Sequence, residues 1–355
     1  MKSPIKTGLI GYGLGGKCFH APFIATLPQF ELTSVVERKN NESQERYPSV
    51  KVVRSVDELL ADDSIELIVV TTPNNTHFSF AKQALEAGKN VVVDKPMTVT
   101  SEEAMQLIEL AKQTKKVLSV YQNRRYASDA LTIKKVLTQK LLGLVFEFES
   151  QFNRYRPELK SSWKETPAGG SGILYDLGAH LIDQALSLFG LPNTITADIR
   201  KQRPGTQADD YFDVRMDYGF TKVIMKAGML VREQGPRYMI HGTKGSFIKY
   251  GDDPQDADAR AGKMPTDATW GLEPEESFGL LHTEVNGEII KKRIPSEKGD
   301  FGIYYQNLAN SLLNGAPLKE KPEHGFNVVR LIELAIESHR QQRTIACEGL
   351  IAAEY

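Results

Sequence analysis

A glycine motif near the start of the chain constrains its fold more than any other feature. Gly11, Gly13 and Gly16 follow the apolar run at residues 6–10 with the spacing G-x-G-x-x-G. The first glycine permits a tight turn, the second lets backbone N–H groups approach a pyrophosphate, and the third lets a helix pack closely on its strand. The motif therefore predicts a strand–turn–helix unit that binds a dinucleotide, with Leu14 in the binding loop.

The apolar runs that follow predict a parallel sheet. Four more runs suit strands buried on both faces: 31–37, 65–70, 90–93 and 117–120. A helical stretch at 76–87 ends at Gly88, and Ser101 is a candidate N-cap for the next helix. Strands that alternate with helices in this way predict a Rossmann domain over residues 1–123.

The pattern changes beyond the predicted Rossmann domain, and this change predicts a second domain. Apolar and polar side chains alternate over 146–152 and 212–218, as in strands with one solvent-facing side. The Asn-Gly pair at 286–287 predicts a two-residue hairpin turn, and 242–245 predicts another. We therefore expect an α/β chain whose second part, residues 124–355, is an α+β domain with an antiparallel sheet and helices on one side of it.

Two later segments of the chain do not follow the alternating pattern of the predicted strands. Residues 253–267 are acidic and contain Pro254 and Gly262, so we expect a surface excursion there. A helical pattern over about 326–340 predicts a helix near the end of the chain, and this helix could pack back toward the Rossmann domain.

Composition excludes several classes of protein. With 41% hydrophobic residues, 25% charged residues and a net charge of -1, the chain has no basic field for nucleic acid or an anionic membrane. No apolar run approaches the roughly 18 residues that span a bilayer, and no apolar signal region is present, so we expect a cytoplasmic protein. Cys18 and Cys347 are the only cysteines, and no cluster has metal-ligand spacing. We therefore expect neither a disulfide framework nor a metal site.

The residues after the second predicted strand leave the choice of cofactor open. Glu37 could accept hydrogen bonds from the adenosine ribose hydroxyls, which would favour NAD. Arg38 follows at once, and its guanidinium could pair with the 2′-phosphate of NADP. Alternatively, Arg38 and Lys39 form a solvated strand end. The sequence therefore predicts NAD(P) as the cofactor without deciding between NAD and NADP.

A polar loop lies at the predicted carboxyl edge of the sheet, where such folds bind ligands. Thr72, Pro73 and Asn74 follow the strand at 65–70 and would line the cofactor cleft, although they also suit a turn before a helix. His77 is interpreted as a structural or cofactor-contacting residue rather than a catalytic one.

Two short motifs carry the candidate catalytic residues. Asp94, Lys95 and Pro96 end a buried strand, and an ammonium group there could stabilise alkoxide character on a substrate oxygen as hydride leaves. Asp176 and His180 are four residues apart in a predicted helix, so they would share one face. The carboxylate could orient an imidazole that takes the alcohol proton. An isolated pair with this spacing is more often a surface or core ion pair.

The three motifs together, in this order, resemble the Gfo/Idh/MocA family of oxidoreductases: the glycine motif, the D-K-P run at 94–96 and the D-x-x-x-H motif at 176–180. Further segments are similar to a branch of NADP-dependent scyllo-inositol dehydrogenases: 19–22, 119–125, 153–157 and 175–180. The resemblance spans almost the whole chain. It implies a Rossmann domain, a C-terminal domain with a large open antiparallel sheet, and a homodimer or homotetramer packed through that sheet.

The resemblance also implies roles for individual residues. Lys95 and His180 would be the catalytic pair, and Asp176 would bind substrate hydroxyls or orient His180. Asp94 stands where the family usually has glutamate, and its shorter side chain would shift contacts on the nicotinamide side. Glu37 replaces the small polar residue that NADP-using relatives often carry, which puts a preference for NADP in doubt.

Polar and aromatic residues are expected to line the substrate pocket: Gln122, Asn123, Arg124, Tyr155, Arg156 and Trp163. Gln122 is also assigned to the cofactor, Tyr155 and Trp163 could instead be core residues, and Arg124 could pair with acids. Groups that bind hydroxyls suit a polyol or sugar, so we expect hydride transfer between an inositol-like secondary alcohol and NAD(P). A sugar or aldose reductase of the same family and a non-catalytic NAD(P)-sensing regulator are the alternatives.

Overall fold

The computed structural model describes residues 3–160 and 162–355, which divide into two compact units. The first unit contains the residues up to Asn123 together with 257–270 and 300–326, and the second contains 124–256, 271–299 and 327–355. Each unit has its own sheet. The first unit therefore includes two later segments besides the residues predicted for the Rossmann domain.

The elements of the described residues are numbered in chain order. The strands are β1 (Ile5–Ile10), β2 (Phe30–Val36), β3 (Lys51–Val53), β4 (Leu67–Val70), β5 (Asn90–Asp94), β6 (Leu118–Tyr121), β7 (Val145–Gln151), β8 (Thr194–Arg200), β9 (Tyr211–Asp217), β10 (Lys222–Gly228), β11 (Tyr238–Gly242), β12 (Gly245–Lys249), β13 (Gly279–Val285), β14 (Glu288–Ile294) and β15 (Ile345–Ala346). The α-helices are α1 (Ala21–Thr26), α2 (Glu42–Arg46), α3 (Val56–Leu60), α4 (His77–Glu86), α5 (Ser101–Thr114), α6 (Ser128–Thr138), α7 (Ala179–Phe189), α8 (Pro254–Arg260), α9 (Gly302–Asn314) and α10 (Pro322–Gln341). Two π-helical turns, Gly15–His20 and Leu174–Gly178, directly precede α1 and α7.

The first unit contains a parallel sheet with the strand order β3-β2-β1-β4-β5-β6. Every residue of β4 is fully buried, as expected for a central strand of a sheet covered on both faces. The predicted Rossmann fold is confirmed. Strand β3 was missing from the prediction, because it is a three-residue edge strand in which only Val53 is buried and no apolar run marks it.

Helix α5 begins at Ser101, and its N-cap is Thr100, one residue earlier than predicted. The hydroxyl of Thr100, not that of Ser101, accepts the backbone N–H of Glu103 at 3.2 Å. The Glu103 carboxylate in turn accepts the Thr100 N–H at 3.2 Å. Both residues suit an N-cap, but only Thr100 has an acid three residues further on, and the reciprocal pair of hydrogen bonds decides between them.

The second unit contains a larger sheet, in the order β14-β13-β12-β11-β7-β10-β9-β8-β15. The β7–β10 pair is parallel and the other pairs are antiparallel, which confirms the mostly antiparallel sheet expected for this part of the chain. Side chains of β7, β9, β10 and β11 share one apolar core with side chains of α6, α7 and α10. Because Leu181, Ile182, Ala185 and Leu186 belong to that core, α7 is firmly seated on the sheet.

Both predicted hairpins are present. Val285 pairs with Glu288 across a turn in which Asn286 has a φ of 53° and Gly287 a φ of 84°, as a type I′ turn requires. In the other hairpin, His241 pairs with Ser246 across the 242–245 turn. Turn residues therefore predicted these two hairpins correctly.

The expectation of a surface excursion at 253–267 is only partly right, because residues 260–263, 266 and 267 are exposed but the start of the segment is anchored. The segment contains α8, and both Asp253 and Gln255 are buried. Asp253 accepts hydrogen bonds from the backbone N–H groups of Ser128, at 2.5 Å, and Gln255, at 2.8 Å. Backbone donors satisfy the buried carboxylate, so an acidic composition did not indicate exposure here.

The described part of the chain includes no helix with both the length and the apolar character that crossing a membrane requires.

Candidate active site

The loop after β1 has the backbone geometry that its glycines predict. Gly11 has a φ of +97°, and a Cβ on Gly16 would lie 2.4 Å from the Gly11 carbonyl oxygen. The Thr71 hydroxyl holds this turn by donating to the same oxygen at 2.8 Å. A Cβ on Gly13 would meet no atom within 4 Å, and Leu14 is exposed. The loop therefore leaves open space over backbone N–H groups, which fits a pyrophosphate.

The carboxylate of Glu37 points into the first unit and holds the start of α2. Its Oε1 accepts the Ser43 N–H at 2.8 Å and the Ser43 hydroxyl, and its Oε2 accepts the Glu42 N–H at 3.1 Å. Glu37 is buried, at 8% exposure. These three internal donors occupy most of the hydrogen-bonding capacity of the carboxylate, and the predicted contact with ribose hydroxyls stays a prediction.

A second contact shapes the same loop. Arg54 donates to the carbonyl oxygens of Glu37 and Asn40, each at 2.7 Å, and to the side chain of Asn41 at 2.6 Å. Arg38, in contrast, is exposed. The loop after β2 is therefore rigidly held and presents a cation rather than an anion on its surface.

His77 connects the two loops that follow β4 and β5. Its Nδ1 lies 2.8 Å from the Pro96 carbonyl oxygen, and its Nε2 lies 2.8 Å from the Thr72 carbonyl oxygen. Burial lowers the pKa of this imidazole, although both hydrogen bonds and the charge of Asp94 act in the opposite direction. The ring is fully engaged with backbone, which supports the structural interpretation of His77 over a catalytic one. Pro73 is half-buried and Asn74 is buried in the same loop.

The end of β5 places Asp94 against the glycine loop and against its own neighbour Lys95. Asp94 Oδ1 accepts the Lys95 backbone N–H at 2.8 Å, and a Cβ on Gly15 would lie 3.0 Å from Asp94 Oδ2. Burial raises the pKa of Asp94, but His20, Lys95 and His77 outweigh burial and lower it below its usual value. Asp94 is therefore an ionised link between two predicted cofactor segments.

Gln122, directly after β6, has a buried amide. Both its Oε1 and its Nε2 are inaccessible and have no hydrogen-bond partner among the described residues. Buried amides without partners are rare in folded proteins, because each missing hydrogen bond is costly. The amide of Gln122 therefore suits a ligand that brings a donor and an acceptor, such as the carboxamide of a nicotinamide. Asn123 next to it is also buried.

In the second unit, Asp176 and His180 lie in different kinds of helix. Asp176 belongs to the π-helical turn Leu174–Gly178, and His180 lies in the first turn of α7. The sequence predicted one continuous helix here, whereas the structure has a π-helical turn that leads into α7. Lys164 Nζ lies 2.7 Å from Asp176 Oδ1, a contact that the sequence did not suggest.

Asp209 holds the start of this helical segment. Its Oδ2 accepts the Leu174 N–H at 2.8 Å, and its carbonyl oxygen accepts the Ile173 N–H at 3.1 Å. A Cβ on Gly172 would lie 1.9 Å from Asp209 Oδ1, and Gly172 has a φ of +86°, so only glycine fits there. Burial raises the pKa of Asp209 to about 6.

Three arginines of the second unit, among them the predicted pocket residue Arg124, lie around the ring of Phe152. The guanidinium carbons of Arg237, Arg154 and Arg124 lie 4.1, 5.2 and 5.7 Å from the ring centre of Phe152. Arg124 is paired with Asp256, as the alternative interpretation of Arg124 anticipated. Burial lowers the pKa of Arg154, although the charge of Asp176 acts to raise it.

The two aromatic candidates are accessible and lie beside cations. Tyr155 is 40% exposed and faces Arg232, whose guanidinium carbon lies 3.8 Å from its ring centre. Trp163 is half-buried and contacts the ammonium of Lys164. Arg156 is exposed. Neither aromatic residue is a core residue, which leaves both side chains available to a ligand.

Comparison with known proteins identifies the family. The model of the Gfo/Idh/MocA oxidoreductases with NAD-binding Rossmann fold matches residues 5–122, and the model of their C-terminal alpha/beta domain matches residues 134–347. The chain belongs to the Gfo/Idh/MocA family. It is an NAD(P)-dependent oxidoreductase that acts on CH–OH groups.

Individual relatives of this Gfo/Idh/MocA protein cover nearly its whole length. The scyllo-inositol 2-dehydrogenase (NADP(+)) IolW of Bacillus subtilis is 41% identical over 97% of this chain and 96% of its own, and the uncharacterised oxidoreductase YdgJ of Escherichia coli is 42% identical over 97% and 99%. The solved structure of the oxidoreductase YvaA of Bacillus subtilis has a TM-score of 0.94 at 41% identity, covering 98% of this chain and 99% of that one.

Within this family member, the predicted site residues fall into two groups. The glycine loop, Asp94, Lys95, Gln122 and Asn123 belong to the first unit, and Asp176, His180, Arg124, Tyr155 and Trp163 belong to the second. Lys164, Asp209 and Ser43 were missed, because each lies outside the motif whose residues it contacts, 12, 35 and 6 positions away. Among the described residues, no group of three or more histidine, cysteine and acidic side chains could hold a metal ion.

Proposed function

We propose that this protein oxidises one secondary alcohol of an inositol-like polyol or sugar to a ketone with NADP. The observation that carries this proposal lies in the second unit, where Asp176 Oδ1 is 2.7 Å from Lys164 Nζ and His180 occupies the first turn of α7. IolW, which is similar along nearly the whole chain, is a scyllo-inositol 2-dehydrogenase that uses NADP. A pocket with arginine, tyrosine and carboxylate groups suits a substrate with several hydroxyls.

The residues divide the chemistry in the following way. NADP, when bound by the glycine loop, would supply the acceptor for the hydride that leaves the substrate carbon. The ammonium of Lys95 donates to the substrate oxygen and stabilises its alkoxide character. The imidazole of His180 accepts the alcohol proton, and Asp176 binds a substrate hydroxyl or orients that imidazole. In the reverse direction, His180 returns the proton.

NADP is proposed as the preferred cofactor because of the direction of Glu37. An acid at this position favours NAD when it faces the ribose, since it accepts hydrogen bonds from the hydroxyls and repels a phosphate. Here the Glu37 carboxylate is turned inward onto Ser43 and Glu42. Arg38 is exposed beside it and can pair with a 2′-phosphate.

The first test is turnover with each cofactor. Purified protein is assayed with NADP and NAD on scyllo-inositol, myo-inositol and glucose by nicotinamide absorbance. We expect an inositol to be oxidised with NADP. Faster conversion of a ketose or aldose would favour the sugar reductase, and tight cofactor binding without any turnover would favour the sensor.

Variants test the assigned roles. His180→Ala should lower kcat by about a hundredfold or more, because a general base typically contributes that much. His282→Ala, at an exposed histidine of β13, is the matched control and should leave kcat unchanged. Full turnover by His180→Ala would refute the role of this residue.

A separate pair of variants tests the cofactor preference. Arg38→Ala should raise the KM for NADP by about ten- to a hundredfold and leave the KM for NAD unchanged, because a charge-assisted contact to phosphate is lost. Lys39→Ala, at the exposed neighbouring cation, should have a smaller effect. Equal changes for both cofactors in Arg38→Ala would argue against a contact with the 2′-phosphate.

We also propose that the chain forms a homodimer or homotetramer through its larger sheet. The polar side of that sheet carries the ion pairs Lys226–Glu149, at 3.3 Å, and Arg215–Asp213, at 3.0 Å. Size-exclusion chromatography with light scattering measures the assembly, and a monomer at micromolar concentration would contradict the proposal.

Cys18 and Cys347 form no disulfide, which suits a reducing compartment such as the cytoplasm.

A further inference from the structure

His20 lies in a buried cluster of the first unit, outside the residues assigned to the reaction. Its side chain is 0% exposed, and its Nδ1 lies 2.6 Å from the hydroxyl oxygen of Tyr305. Its Nε2 has no hydrogen-bond partner among the described residues and lies 3.9 Å from Asp94 Oδ1. The ring packs on Tyr121 with 4.1 Å between ring centres. A buried nitrogen without a hydrogen bond is costly, so its direction toward Asp94 needs a reason.

The partner on the other nitrogen sets the tautomer of His20. Burial raises the pKa of Tyr305 well above its usual value, so the phenol stays protonated and can donate to Nδ1. When Nδ1 accepts, the neutral imidazole carries its proton on Nε2. The chain Tyr305–His20–Asp94 therefore presents an N–H group to a carboxylate.

Besides facing His20, Asp94 contacts two functional segments. Its Oδ1 accepts the backbone N–H of Lys95 at 2.8 Å, and its Oδ2 lies 3.0 Å from the position of a Cβ on Gly15. One carboxylate thus touches both the residue that carries the candidate catalytic ammonium and the loop that fits the pyrophosphate. A group at this point controls how the two segments are placed relative to each other.

We propose that His20 is a positioning residue, whose Nε2–H holds the Asp94 carboxylate and thereby fixes the backbone of Lys95 against the glycine loop. This inference rests on the proposed function, because the lysine is fixed for hydride transfer. A distance of 3.9 Å is within ion-pair range, and catalytic hydrogen bonds are often longer before substrate binds.

The same contact explains why position 94 is aspartate. The carboxylate already lies against Gly15 on one side and faces His20 on the other. A glutamate is one methylene longer, so its carboxylate could not keep both of these distances with the same backbone. The shorter side chain is therefore matched to a buried histidine behind it.

Two substitutions of His20 separate positioning from simple packing. The amide nitrogen of glutamine reaches the position of Nε2, so His20→Gln keeps a donor toward Asp94. Asparagine places its amide near Nδ1, so His20→Asn keeps a group toward Tyr305 and loses the donor toward Asp94. Each variant is compared with the wild type for kcat and KM with NADP and an inositol, for NADPH binding, for thermal stability, and for hydrogen–deuterium exchange at the Lys95 amide.

We expect His20→Asn to lower kcat about tenfold, with the KM values within about twofold, and to speed exchange at Lys95, because orientation is lost rather than binding. His20→Gln should stay within about threefold of the wild type in kcat and keep the exchange slow. Equal activity and equal exchange in the two variants would overturn the proposal, as would the reverse order.

A tyrosine pair covers the case in which the histidine variants do not fold. Tyr305→Phe removes the hydroxyl that faces His20, whereas Tyr304→Phe removes a neighbouring buried hydroxyl that donates to Ser119 at 2.8 Å. Only Tyr305→Phe should speed exchange at Lys95, and equal exchange in both would refute the inference. If the wild type oxidises no polyol, the proposed function fails, but exchange at Lys95 still decides the role of His20.

Discussion

The two units hold their candidate residues by different means. In the first unit, the glycine loop is defined by backbone, because a Cβ on Gly16 would lie 2.4 Å from the carbonyl oxygen of Gly11. In the second unit, the helical segment with Asp176 and His180 is held by side chains from elsewhere in the chain, Lys164 and Asp209. A site built on backbone constraints is visible in a short sequence motif, whereas a site built on distant side chains is not.

The largest effect is expected where the backbone leaves no room. Gly16→Ala should destabilise the protein by about 2–4 kcal/mol and abolish NADPH binding, because the new methyl group overlaps a carbonyl oxygen. Gly13→Ala is the matched control, since its methyl group meets no atom within 4 Å. It should weaken NADPH binding at nearly unchanged stability. Thermal unfolding measures stability, and fluorescence titration measures NADPH affinity. Equal losses of stability in the two variants would contradict the expected difference between Gly16 and Gly13.

Asp209 predicts a dependence of stability on pH in the second unit. Its pKa is raised to about 6, so the folded protein binds a proton more tightly than the unfolded chain does. Protonated Asp209 therefore contributes to the free energy of unfolding. This stability is fully present below the unfolded pKa of about 4 and is lost as pH rises through about 6, at a cost of roughly 2–3 kcal/mol. The free energy of unfolding of Asp209→Asn, minus that of the wild type, should therefore increase by about 2 kcal/mol from pH 4 to pH 7.

Urea unfolding at the two pH values measures this difference. Asparagine keeps an oxygen that can accept the Leu174 N–H, so the start of the helical segment should survive the substitution. A stability difference between variant and wild type that does not change with pH would contradict the raised pKa.

Lys164 tests whether the side chains that hold the segment of the second unit with Asp176 and His180 also matter for activity. Lys164→Ala should lower kcat/KM by about ten- to thirtyfold with little loss of stability, because Asp176 loses a charge-assisted contact. Lys135→Ala serves as the control, since Lys135 and Glu297 form an ion pair in which both side chains are largely exposed, at 51% and 41%. That pair should contribute little to stability and nothing to turnover. Steady-state kinetics with the best polyol decides between these outcomes.

The smallest effect is expected at Glu37. Glu37→Gln keeps one oxygen for the Ser43 N–H and loses the charge, so it should cost about 1 kcal/mol of stability. The proposed preference for NADP should survive this substitution, because the Glu37 carboxylate faces the start of α2. A strong shift in the ratio of kcat/KM for NAD and NADP would show that Glu37 does contact the cofactor.

Much of the fold could be predicted from the sequence, since local patterns determine it. Buried apolar runs marked β1, β2, β4, β5 and β6, and turn residues gave the hairpin at Asn286. The misses have physical causes. Strand β3 is too short to carry a pattern, and the segment at 253–267 is acidic but has its carboxylate satisfied by backbone donors.

The candidate site was predictable only in part. The residue types of Lys95, Asp176 and His180 carry chemistry that their motifs reveal. The direction of Glu37 depends on where α2 begins, and a five-residue helix gives little signal. The π-helical turn before α7 likewise has no pattern of its own, so the sequence suggested ordinary α-helical spacing between Asp176 and His180.

The hydrogen bond between His20 and Tyr305 also affects how the chain folds during synthesis. Its two residues are 285 positions apart, and both belong to the first unit. At ribosomal rates of about 5–20 residues per second, His20 leaves the ribosome roughly 15–60 s before its partner. The first unit can therefore be completed only when α9 emerges, after most of the second unit has been made. A nucleotide-binding unit built from separate stretches of one chain stays incomplete for that interval.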